Sequence, residues 1–81
     1  MSRVTIYTNP DCIYCKRVKD FLRKHKVEFS EKDVSRYEKA AEEMVKKSGQ
    51  LSAPVIVARL NGKDNIVIGT DFEKLSEILM V

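Results

Sequence analysis

Arg3-Val4-Thr5-Ile6-Tyr7-Thr8 runs through Asn9-Pro10-Asp11 into Cys12-Ile13-Tyr14-Cys15, and this stretch decides how the chain is read. Residues 3–8 alternate Val4 and Ile6 with Thr5 and Tyr7, and β-branched types dominate. That pattern predicts a strand. Asn9-Pro10-Asp11 predicts a turn. The two cysteines are the only ones in 81 residues. Two residues between them let one turn of helix bring both sulfurs together. A C-x-x-C beside a β-α-β pattern predicts a thiol–disulfide redox pair.

The remaining elements follow outward from there. A helix is predicted from near Cys12 to about His25, with Val18, Phe21 and Leu22 as its apolar stripe. Residues 27–34 contain a second strand. Ser35-Arg36-Tyr37-Glu38 reads as a capping box. The helix after it carries Tyr37, Ala40, Ala41, Met44 and Val45 on one face and stops at Gly49. Residues 54–60 are nearly all apolar, which predicts a strand buried on both faces. Asn61-Gly62 predicts a hairpin turn into a fourth strand over 65–68, ended by Gly69. Thr70-Asp71-Phe72-Glu73 reads as a second capping box, before a helix with Phe72, Leu75, Ile78 and Leu79 on one face. The order β-α-β-α-β-β-α predicts an α/β fold with a mixed four-stranded sheet and three helices. The first two strands are expected to be parallel through a right-handed crossover and the last two antiparallel. One domain over residues 1–81 is expected.

Composition narrows the classes. Hydrophobic residues make up 43% and charged residues 33%, the balance of a water-soluble globular chain. No apolar run approaches the roughly 20 residues that span a bilayer, so no membrane role is expected. Met1-Ser2-Arg3 leads straight into a strand and leaves no room for a signal peptide. The expectation is a cytoplasmic protein, where structural disulfides are rare and C-x-x-C pairs cycle. The net charge is +3, with Lys16, Arg17, Lys19, Arg23, Lys24 and Lys26 concentrated on the first helix. No aromatic residues interleave with them, so they read as a solvated face rather than a nucleic-acid surface. Positive charge near a cysteine also favours thiolate and attracts anionic thiols.

The element order, the C-x-x-C opening the first helix, Ser52-Ala53-Pro54 before the third strand and Gly69-Thr70-Asp71 before the last helix together resemble the glutaredoxin family, of thioredoxin-like fold. The resemblance covers nearly the whole chain. It implies a cis peptide bond at Pro54, which an X–Pro bond adopts for only about 0.5–1 kcal/mol, with Ala53 offering its backbone to a bound peptide or glutathione. It implies a thiol–disulfide oxidoreductase in which Cys12 attacks a substrate disulfide and Cys15 resolves the mixed disulfide. Glutathione is implied as co-substrate, with no tightly bound cofactor. Tyr14 would flank the bound thiol. Gln50 and Lys46 or Lys47 would lie near the glycine carboxylate. Ser52 and Ala53 would align the backbone, and Gly69, Thr70 and Asp71 would hold the γ-glutamyl end. Disulfide-bearing proteins are the implied partners, and a monomer is expected so that the Cys12 face stays open.

The chain departs from the family pattern in several places. Ile13 stands where Pro is usual, Asn9 where Lys is common, and Leu51 where Arg is common. Gly69 replaces a glycine pair. Asp11 directly precedes Cys12, where a carboxylate opposes the thiolate unless it caps the helix. Short glutaredoxin-like proteins that take electrons from thioredoxin reductase and reduce ribonucleotide reductase are similar in size, which makes thioredoxin reductase an alternative partner. Their characteristic aromatic and basic residues are absent from Val67-Ile68-Gly69-Thr70-Asp71. A metal or cluster module is a further alternative. It is disfavoured because two cysteines and His25, about three turns along the helix, cannot fill a tetrahedral zinc site without an acidic ligand or a second chain. An iron–sulfur cluster bridging two chains through Cys12 and glutathione, as in some relatives, is the form it would take.

Overall fold

The computed structural model describes residues 3–81. Met1 and Ser2, read above as leaving no room for a leader, lie outside the described residues. The elements are β1 (Val4–Thr8), α1 (Ile13–Lys24), β2 (Ser30–Asp33), α2 (Glu38–Ser48), β3 (Val55–Leu60), β4 (Lys63–Ile68) and α3 (Phe72–Leu79). This is the predicted order. The sheet runs β2-β1-β3-β4, with β1 parallel to β2 and antiparallel to β3, and β3 antiparallel to β4.

Strand alternation sorts the core into two layers. On one face of the sheet Val4, Ile6, Ile56, Ala58 and Val67 meet Val18 and Leu22 of α1 and Leu75 of α3. On the other, Tyr7, Val55 and Val57 meet Met44 of α2. β3 contributes to both layers and is buried over its first four residues, as its continuous apolar sequence requires. Phe21 of α1 stacks on Phe72 of α3 at 4.9 Å between ring centroids, joining the two helices of the first layer.

Three local expectations are corrected. Ser35 does not cap α2. Asp33 accepts its hydroxyl at 2.6 Å and its amide at 2.9 Å, an Asx-type turn. The N-cap is then Tyr37, whose side chain makes no capping bond and is 57% exposed rather than facing the core. Thr70 does not cap α3 either. Asp71 does, accepting from the Lys74 amide at 3.1 Å. The fourth strand starts at Lys63 rather than at 65. Asn61 and Gly62 both take positive φ, 53° and 75°. Such a two-residue turn matches the twist of its strands, so pairing resumes at once with Leu60 opposite Lys63.

One polar cluster ties the second layer together. The buried Tyr7 donates its hydroxyl to Glu43 Oε1 at 2.6 Å, and Lys32 Nζ reaches the same oxygen at 2.7 Å. The Lys32 ammonium, then the Tyr7 hydroxyl, hold the Glu43 carboxyl below the ordinary glutamate value against the opposing effect of burial. A depressed carboxyl contributes stability above its unfolded pKa, lost as pH falls through the folded one. Removing a hydrogen bond to a charged group costs about 1.5–3 kcal/mol. Tyr7→Phe is therefore expected to lose that amount in urea unfolding near neutral pH. Its deficit relative to wild type should shrink as pH falls through the depressed Glu43 pKa and the carboxyl loses its charge in both proteins. Leu22→Ala, which empties a fully buried site, should cost about 2–5 kcal/mol at all pH values.

Candidate functional site

The topology gathers four loops at one end of the sheet. β1 and β2 both end there, β3 begins there after Pro54, and β4 ends there at Gly69. The Tyr7–Val55 and Val55–Ile68 pairings fix how these loops abut, and the Gly69 amide donates to the Pro54 carbonyl at 3.0 Å. The Ala53–Pro54 peptide bond is cis.

Cys12 is the N-cap of α1. Its sulfur accepts from the Cys15 amide at 3.4 Å, so the thiol occupies the place where a Ser or Asp oxygen commonly satisfies an orphan helical amide. The first turn of α1 contains no acidic residue, so the positive end of the helix dipole acts on the sulfur unopposed by its own helix. Burial raises the Cys12 pKa. The Cys15 thiol and the amides of Cys15 and Tyr14, all donating to the sulfur, outweigh it, and the net effect holds the thiol below its ordinary value. Cys12 Sγ also lies 3.9 Å from the Ala53 carbonyl oxygen. Both cysteines are free thiols. Cys12 is partly exposed and Cys15 is buried.

Cys15 behaves oppositely. Burial pushes its thiol up to about 11. The hydrogen bond to Cys12 and the charge on Cys12 push the same way, while the Asn9 backbone amide and Lys19 pull it down. Lys19 thus acts on Cys15 rather than Cys12, and its ammonium is held by Glu31 at 3.1 Å. Asn9 does more than stand in for a lysine. Its side chain accepts from the Asp11 amide at 3.0 Å and its carbonyl from the Cys12 amide at 2.9 Å. That turn is what aims α1. The Asn-Pro dipeptide was the available signal, but its reach to the second sulfur was not legible. Asp11 does not cap the helix, so its carboxylate stays exposed beside Cys12.

A groove of about 270 Å³ is lined by Tyr14, Gln50, Ser52, Ala53, Pro54, Ile68, Gly69 and Thr70. It brings together the candidate ligand-contacting residues except the two lysines and Asp71, which lies outside the groove lining and has one carboxylate oxygen engaged as the α3 cap. Tyr14 is 53% exposed with the Arg17 guanidinium 5.7 Å from its ring centroid. Lys47 is not at the groove; it pairs with Asp64 at 3.3 Å. Lys46 is exposed and is likewise not among the lining residues. A second groove of about 420 Å³ opens on the α2 side of the Pro54 loop, lined in part by Asp11, Cys12, Met44, Val45 and Leu51. The sequence did not reveal it, because its wall combines residues from four separate segments. Among the described residues, no helix is long and apolar enough to cross a membrane.

The sequence model of the glutaredoxin family matches residues 4–63. The chain is 30% identical over 76 residues to a glutaredoxin-like 8.6 kDa protein of the Clostridium pasteurianum rubredoxin operon, covering 94% of this chain and 96% of that one. It is 39% identical over 56 residues to glutaredoxin 3 of Escherichia coli K12, covering 69% and 68%. In structure it superposes on the glutaredoxin of Archaeoglobus fulgidus with a TM-score of 0.86 at 30% identity, covering 100% of this chain and 89% of that one.

The opposed pKa shifts predict how the two thiols react. Alkylation of reduced protein by iodoacetamide should label Cys12 first, with a rate that rises with pH and levels off below the ordinary thiol pKa. Cys15 should stay largely unlabelled until pH approaches about 11. Peptide mapping across a pH series checks both, and equal labelling of the two at pH 7 would contradict the assignment.

Proposed function

The chain belongs to the glutaredoxin family and is a thiol–disulfide oxidoreductase, and from that premise we propose that it reduces protein disulfides and glutathione mixed disulfides through Cys12, with glutathione as its co-substrate. The observation that carries this reading is the Cys12 sulfur. It is partly exposed, held toward thiolate by helix amides, and set at the Ala53–Pro54 loop, next to the groove that runs from Tyr14 to Thr70.

The chemistry is a sequence of thiolate displacements. Cys12 thiolate attacks one sulfur of the substrate disulfide. A Cys12–substrate disulfide forms and the other sulfur leaves as thiolate. Cys15 then attacks Cys12 Sγ, the substrate thiolate departs, and the protein is left with a Cys12–Cys15 disulfide. Two thiols are oxidised and one disulfide is reduced. In the alternative route the Cys12–glutathione disulfide is attacked by a second glutathione, which gives oxidised glutathione and free Cys12 thiolate.

The opposed thiols suit this order. While Cys12 is a thiolate, its charge and the donated hydrogen bond help keep Cys15 protonated. Once Cys12 is in a mixed disulfide, that charge is gone. The Asn9 amide and Lys19 then act on Cys15 without it, so the resolving thiol ionises more readily after the first step than before it.

The backbone amides of Ser52 and Ala53, which donate no backbone hydrogen bond among the described residues, support the glutathione reading. Gln50 and Thr70 supply polar groups for the two ends of glutathione. A second reading, electron supply by thioredoxin reductase, draws support from the groove lining, which includes no cationic side chain, although an anionic tripeptide would gain from one.

The test is NADPH oxidation with a small disulfide substrate, coupled in parallel to glutathione with glutathione reductase and to thioredoxin reductase alone. The expected result is activity in the glutathione arm, abolished by Cys12→Ser and retained at least in part by Cys15→Ser. Activity confined to the thioredoxin reductase arm would replace glutathione as the electron source. Loss of deglutathionylation in Cys15→Ser would overturn the division of labour between the cysteines.

A further inference from the structure

The second groove has a chemistry of its own. Cys12 lines it, so it is continuous with the reacting sulfur, and Ser52 and Ala53 form the ridge it shares with the first groove. Its apolar floor comes from Met44 and Val34. Leu51 and Val45 stand at its rim, 87% and 39% exposed. Asp11 is the one charged residue in its lining. Among the described residues the Asp11 carboxylate has no ionic partner, whereas Glu31 and Glu43 are each held by a lysine and Asp33, at the end of β2, is engaged by the Ser35 hydroxyl and the Ser35 and Arg36 amides.

We infer that this groove receives the polypeptide flanking a substrate disulfide, and that Asp11 selects segments with a basic side chain next to the attacked cysteine. The inference rests on Cys12 as the attacking thiolate. An unpaired carboxylate beside a thiolate makes the mouth of this groove anionic even though the chain as a whole carries +3. A substrate cation beside its cysteine relieves both charges, and a substrate carboxylate meets both. Leu51 and Val45 give the stem of a lysine or arginine apolar surface to lie on, with its charged head left at the rim. Asp11 is thus a specificity residue for protein substrates rather than a defect in the thiolate site.

Two peptides test this. Each has one cysteine joined to β-mercaptoethanol as a mixed disulfide, and they differ only in Lys or Glu beside the cysteine. Mixed with reduced protein, each undergoes one full turnover. Cys12 displaces mercaptoethanol, Cys15 displaces the peptide thiol, and the protein ends as the disulfide with no outside reductant. The readout is the Lys-to-Glu ratio of single-turnover rates at one pH. Thiolate content cancels in that ratio, so a shift in the Cys12 pKa cannot mimic the result. The expected outcome is a ratio about two- to fivefold higher in wild type than in Asp11→Asn, as for exposed ion pairs, and a fall in the wild-type ratio at high salt. Rapid oxidation by both peptides with the same ratio in wild type and Asp11→Asn would overturn this inference alone. If neither peptide oxidised the wild-type protein, the redox reading and this inference would fall together.

Discussion

The antiparallel pairing of β1 with β3 is the constraint on which the rest depends. It sets Tyr7 opposite Val55, and so sets the turn that leaves β1 against the loop that enters β3. A one-residue slip would move every side chain of a strand to the opposite face. Val4 and Ile6 would then leave the α1 layer and Tyr7 would lose Glu43. That penalty is what fixes the approach of Cys12 to Ala53. The redox pair is positioned by the burial of side chains that never touch a substrate.

Within that frame the helix does the electronic part. Sulfur is a poor substitute for oxygen as a helix cap, since it accepts hydrogen bonds weakly. The exchange leaves α1 with a mediocre N-terminus and gives the thiol a set of amide donors that a side chain elsewhere would lack. Stability and reactivity are traded at one atom. The neighbouring thiol, a turn further in, loses its water instead and is driven the other way.

Much of this was legible in the sequence, for identifiable reasons. Period-two alternation in residues 3–8, the apolar run at 55–58 and the Asn61-Gly62 turn each have one physical solution, and the structure adopts it. The cysteine pair needed only its spacing and its place after a strand. Capping was less legible. Ser35 and Thr70 matched a capping pattern, yet Asp33 draws the Ser35 hydroxyl into its own turn and leaves α2 without a side-chain cap, and Asp71 takes the α3 amide, because a carboxylate close by accepts more strongly than a hydroxyl. Lys47 was placed near the groove by resemblance but is drawn to Asp64 across α2 and β4. The second groove was invisible, since nothing along the chain connects Asp11, Met44 and Leu51 before the fold does.

The Asn61-Gly62 turn has a practical meaning. It closes the β3–β4 hairpin at the opposite end of the sheet from the four loops around Cys12, and both of its residues are exposed. A tether attached there would hold the protein to a surface by its far end. The thiol would face outward into solution, free to exchange electrons with whatever diffuses past.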